Sequence, residues 1–192
     1  MTRRILFTSM ALAAMASAAQ AHVGVGGTSG FINGFTHPLG GLDHVLAMVA
    51  VGLFAAQLGG RARWLVPASF ATMMAVGGAA GMAGVDLPFV EAGIGLSVLA
   101  LGAIVALRWN APVPAAMSIA GFFAVFHGHA HGAEMPAGAA GLTYALGFVL
   151  ATATLHGAGL ALGLTAQNSR RLTQIGGGAL ALAGAVLLTG AI

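Results

Sequence analysis

The sequence contains no cysteine and no lysine. The first absence excludes disulfides and thiolate metal sites. The second leaves arginine as the whole of the basic complement, seven residues against four acidic ones. Charged residues make up only 6% of the chain and hydrophobic residues 58%, whereas soluble domains carry about 25% charge. A soluble protein so apolar would have no surface to offer water, so the chain reads as an integral membrane protein. The arginines form no basic run and do not interleave with aromatics, which excludes a nucleic-acid partner. No G-x-x-x-x-G-K-[ST] loop occurs, so the chain does not itself hydrolyse ATP.

What is present begins with a leader. Arg3 and Arg4 precede an apolar run over residues 5–16, shorter than the roughly 20 residues that span a bilayer. Ala19-Gln20-Ala21 is a small-x-small cleavage pattern. Residues 1–21 therefore read as a cleavable signal peptide, and residues 22–192 as a single transmembrane domain. Cleavage makes His22 the new N-terminus, where amine and imidazole could chelate a metal together. Residues 22–36 are glycine-rich and polar enough to be placed outside the membrane. Six apolar segments follow, at about 40–58, 64–83, 89–107, 113–127, 141–165 and 172–191. The expected fold is all-α: a polytopic bundle of about six transmembrane helices.

Orientation follows from the arginines. Arg61 and Arg63, Arg108, and Arg170 and Arg171 fall in alternate loops, which the positive-inside rule assigns to the cytoplasm. A cleaved leader delivers the mature N-terminus to the other side. Both readings place the mature termini in the periplasm, with the protein in the bacterial inner membrane.

Polar side chains are so scarce that their clustering carries meaning. Phe126–Glu134 reads F-H-G-H-A-H-G-A-E. In a helix, His127, His131 and Glu134 share one face. In an extended segment, His127, His129 and His131 line one side. The second cluster is H-P-L-G-G-L-D-H at residues 37–44. His37-Pro38 suits a helix start, because proline is favoured at the first helical position. His37 and His44, seven apart, are then expected on one face, with open space at Gly40 and Gly41. Asp43 is a candidate ligand, or a carboxylate orienting a histidine. His156 lies within the fifth segment, on the order of 20 Å deeper than the outer clusters at 1.5 Å per helical residue. Ionisable groups at such depth usually face the bundle interior. Imidazole with carboxylate suits nickel, cobalt, zinc or copper, so the residues by themselves imply transition-metal binding in a polytopic membrane protein.

Two further patterns have plainer readings. Gly77-x-x-x-Gly81 and Gly159-x-x-x-Gly163 permit close helix approach. Met48, Met73, Met74, Met82 and Met117 read as filler of apolar helices rather than as a thioether copper path.

H-P-L-G-G-L-D-H-V-L-A-M-V-A-V-G at 37–52 and F-H-G-H-A-H-G-A-E at 126–134 resemble the two signature motifs of the HupE/UreJ family. L-H-G-A-G around His156 is similar to that family as well, and the likeness covers essentially the whole chain. These are hydrogenase- and urease-accessory membrane proteins, regarded as nickel or cobalt permeases. The resemblance implies transport of Ni2+ or Co2+ as substrate, no organic cofactor and no enzymatic activity. It also implies hydrogenase or urease maturation proteins as partners. By the same resemblance the motif residues are His37, Asp43, His44, His127, His129, His131 and Glu134. Two other classes stay open: a b-haem electron carrier, whose iron would be ligated by histidines on facing helices, and a membrane metallohydrolase with zinc-activated water.

Overall fold

A computed structural model describes residues 30–135 and 141–190. Among these, every regular element is an α-helix. In chain order they are α1 (Gly30–Gly40), α2 (Leu42–Leu58), α3 (Ala62–Met82), α4 (Val90–Ala106), α5 (Val113–Ala133), α6 (Gly141–Ala166) and α7 (Arg170–Leu188). Long apolar runs explain the choice: in hydrocarbon every backbone polar group must be satisfied within the segment, and a helix does so. The leader, its cleavage site and His22 lie outside the described residues.

Four helices, α3, α5, α6 and α7, are long and apolar enough to cross a bilayer. A fifth span arises if α1 and α2 count as one, and these meet at an 83° bend. α4 is apolar but only 17 residues long. The outside of the bundle is the apolar side, with Trp64, Leu107, Leu142, Ile175 and Leu182 all exposed. Its interior holds His44, Ser97, His127, His131, Thr152 and His156. Large exposed apolar side chains around a polar interior are the arrangement of a protein solvated by lipid. The protein is a membrane protein.

Glycine sets which helices meet. α3 packs on α5, α4 on α7, and both α1 and α2 on α6. A Cβ at Gly77 or Gly81 of α3 would run into the α5 backbone at Val125 or His129, and one at Gly128 or Gly132 of α5 into α3 at Met74 or Gly78. A Cβ at Gly159 of α6 would meet Val49 of α2. Both small-xxx-small patterns are thus packing surfaces that bring backbones into contact.

The front of the chain differs from expectation. Residues 30–36, ahead of the first expected helix, are themselves helical and seat Gly34 against the Tyr144 carbonyl of α6. Pro38 lies inside α1 rather than opening the first long helix. The break falls at Gly41, in an extended conformation (φ −104°, ψ 120°). His37 and His44 therefore sit on two helices, not on one face of one. The segment from residue 113, too short to span if it ended at 127, continues as expected into the histidine cluster: α5 runs to Ala133, so all three histidines of the motif are helical.

Charge is divided between the two ends. Asp43 and Glu91 line one cavity together with Leu188 and Gly190, at the end where Glu134 meets His37. At the other end Arg108, Gln57, Gln167 and Thr173 surround a cavity of about 60 Å³.

Candidate metal centre

Helical geometry decides between the two readings of F-H-G-H-A-H-G-A-E. His127 and His131, one turn apart, point inward, and Glu134 follows as the C-cap of α5. His129 lies on another side of the helix. Its Nε2 is 2.7 Å from the Val85 carbonyl in the loop after α3, which makes it the donor of a hydrogen bond that fixes that loop. The structure does not bring His129 into the cluster.

His131 is the hub. Its ring lies 4.7 Å from that of His37 on α1 and 4.1 Å from that of His44 on α2. His44 in turn lies 4.8 Å from His127. The bend at Gly41 is what allows this. One straight helix would hold His37 and His44 about 10 Å apart along its axis, whereas the bend presents both to the same α5 histidine.

The hydrogen bonds define which nitrogens are available. Asp43 Oδ1 accepts from the backbone N–H and the Nδ1 of His44, both at 2.8 Å. With Nδ1 protonated, Nε2 of His44 carries the lone pair, and it is buried with no partner. Ser97 Oγ, on α4, donates to the Ile94 carbonyl at 2.6 Å and lies 2.8 Å from His127 Nε2. Its one proton is committed, so it accepts from His127 Nε2–H. The lone pair of His127 is thereby on Nδ1, again buried and unpartnered. Neither ring nitrogen of His131 has a partner. Buried polar atoms are nearly always hydrogen-bonded, and these three imidazoles are exceptions, with buried nitrogens that have no partner.

At the outer edge His37, His131 and Glu134 each offer one donor atom, all within 4.8 Å of one another. Donors around a tetrahedral ion with bonds of about 2.0–2.2 Å sit about 3.4 Å apart, so this is an open claw that an ion would draw together. Two imidazoles and a carboxylate suit a borderline divalent cation. Asp43 serves His44 from within the fold, and on its other side lines a cavity of about 390 Å³ shared with Glu91.

His156 is closer to the cluster than a separation of 20 Å. Phe70 of α3 lies 5.7 Å from the His127 ring and 5.1 Å from the His156 ring. The physical reason is the extension of α5: His127 is itself inside the bundle, not at its outer edge. His156 Nε2 is also buried without a partner.

Three contributors were not singled out from the sequence. Ser97 had a usable signal, as a hydroxyl in an apolar helix must find a partner. Tyr144, the sole tyrosine, stands 6.0 Å from His37. Phe70 had none, since its role comes from two helices far away in sequence.

The HupE / UreJ protein family model matches residues 10–187. Protein HupE of Rhizobium leguminosarum bv. viciae is 46% identical over 185 residues, covering 95% of this chain and 96% of that protein. No solved structure matches the chain significantly. With both signature motifs converging on one buried cluster and this likeness running nearly end to end, the chain belongs to the HupE/UreJ family.

Proposed function

We propose that the protein is an inner-membrane secondary permease or facilitator for uptake of a divalent transition metal, Ni2+ or Co2+. One observation carries this reading: His37, His131, His44 and His127 follow one another at ring distances of 4.1–4.8 Å from the edge of the bundle inward. The inner three present unpartnered nitrogens. A resident structural ion needs one closed shell; a file of overlapping sites suits an ion that moves.

The ion is captured by His37, His131 and Glu134 at the periplasmic face. It sheds water in exchange for imidazole nitrogen, passes to His44 and His127, and reaches His156 beyond Phe70. Asp43 and Ser97 hold His44 and His127 in the tautomers that ligate. Asp43, Glu91 and Glu134 favour cations at the outer mouth. An inside-negative potential draws cations inward by about 2.3 kcal/mol per charge per 100 mV. The arginine distribution supports this orientation, with both mature termini periplasmic. The chain performs no chemical conversion. The family resemblance supports delivery to hydrogenase or urease maturation proteins.

The geometry gives a b-haem carrier less support. Axial histidines stand on opposite faces of a flat macrocycle, and rings in contact at 4.1–4.8 Å leave no such slot. Phe70 fills the space between His127 and His156.

Proteoliposomes containing only this protein test the reading, with Ni, Co, Zn, Mn and Cu uptake compared. Nickel or cobalt should enter faster than into empty liposomes, and His156→Ala should slow entry. Equal leakage with and without protein removes the proposal.

A further inference from the structure

α3, α5 and α6 leave a gap beside the histidine file. Between them lies a cavity of about 130 Å³ lined by Met74, Met82, His131, Met135, Tyr144 and Phe148, among others. Methionine in apolar helices ordinarily fills space, as Met48 and Met74 do in the packed core. Met74, Met82 and Met135 also border this open space. Met82 is 53% exposed and Met74 only 2%, so the thioethers run from the bundle surface to its interior. Met74 Sδ lies 3.8 Å from Thr152 Oγ1 at the buried end.

Two polar side chains on this wall lack partners. His131 is 6% exposed with both nitrogens unpaired, and the Tyr144 hydroxyl is buried and unpaired. A bare polar group against an apolar space is costly. The donor set says which ligand relieves it. Thioethers are neutral, soft and polarizable, and select Cu(I) over hard dications. A monovalent ion is also easier to strip of water than a dication in a wall with no carboxylate of its own.

We propose that this cavity is a site for a soft monovalent d10 cation, Cu(I) or Ag(I). Met82 and Met135 supply thioether sulfur and His131 supplies imidazole, with Met74 closing the buried end of the cavity. Because His131 is also the hub of the outer cluster, a soft ion held here competes with the dication for it and blocks its passage. The site stands without the permease reading; the block rests on that reading.

Ag(I) is titrated into the purified full-length protein in chloride-free nitrate buffer, followed by calorimetry. Leucine keeps methionine's volume and apolarity, so Met82→Leu/Met135→Leu, at partly exposed positions, should fold. This double variant should bind Ag(I) about 10-fold more weakly, or about 1.4 kcal/mol, while its Ni(II) affinity stays that of the wild type. Met117→Leu, outside the cavity, should leave Ag(I) affinity unchanged. His131→Ala should weaken both ions. Undiminished Ag(I) binding by the double variant overturns the site, and so does an equal loss in Met117→Leu, which would mark adventitious thioether binding. In proteoliposomes Ag(I) should slow nickel uptake by the wild type and spare the double variant. Tight Ag(I) binding with unaffected uptake overturns the block. A wild type that carries no nickel removes the permease reading and the block with it, while the titration still decides the site.

Discussion

Ser97 holds His127 in a single tautomer across two helices. The hydroxyl on α4 gives its proton to Ile94 and so can only accept from His127 Nε2, 2.8 Å away. Ser97→Ala frees that nitrogen to be either protonated or bare. Loss of a group that orients a metal-ligating histidine typically costs about 10–100-fold in metal affinity, and nickel affinity should fall by that order. Calorimetric titration of the variant checks it. An affinity equal to wild type means that His127 is not a ligand or that its tautomer does not matter.

Gly40 and Gly41 should respond differently to alanine. A Cβ at Gly40 meets nothing within 4 Å, whereas one at Gly41 would lie 2.6 Å from Asp43 Oδ1 and 3.0 Å from His44 Nδ1. That oxygen is already held by two hydrogen bonds, and retreating from the Cβ would break them. Gly41→Ala should impair metal binding and uptake; Gly40→Ala should leave both intact. Matching effects in the two variants, measured on the same preparation scale, would mean that the Asp43–His44 pair is not what Gly41 protects.

His129 and His131, two residues apart in one motif, should separate cleanly. His131→Ala removes the residue that touches both His37 and His44, so equilibrium binding and uptake should fall together. His129→Ala removes a bond to the Val85 carbonyl, of the class worth about 1 kcal/mol, together with the packing of a largely buried ring. It should lower thermal stability and leave metal affinity unchanged. A binding loss in His129→Ala as large as that in His131→Ala would place His129 among the ligands after all.

Metal affinity should weaken as pH falls. Only neutral imidazole ligates, and a free histidine titrates near pH 6.5, so protons compete with the metal below that value. At the outer edge burial holds the His37 imidazole below its ordinary range, so protons compete only below the free value: affinity should hold through about pH 6.5 and decline on stronger acidification. A decline already complete above that value would mean that the ligating imidazoles are not the buried ones.

Orientation is open to a direct check. A reporter active only in the periplasm should work when fused after Glu134 and be silent when fused after Arg61 or Arg171. The reverse pattern inverts the topology and moves the outer cluster to the cytoplasm.

The sequence by itself determined that this is a helical membrane protein, because 6% charge leaves too little polar surface for water. It also determined that His127, His131 and Glu134 share a face once the segment is helical, since that follows from 3.6 residues per turn. Local periodicity could not choose between helix and extended chain there. The tertiary structure decided it: α5 continues to Ala133, with Gly128 and Gly132 packed against the α3 backbone at Met74 and Gly78. Nor could local pattern find the bend at Gly41, the bond from His127 to Ser97, or the nearness of His156 to His127 across Phe70. Each joins residues on different helices. Their distances depend on which backbones glycine allows to touch, and that is settled only when all the helices pack together.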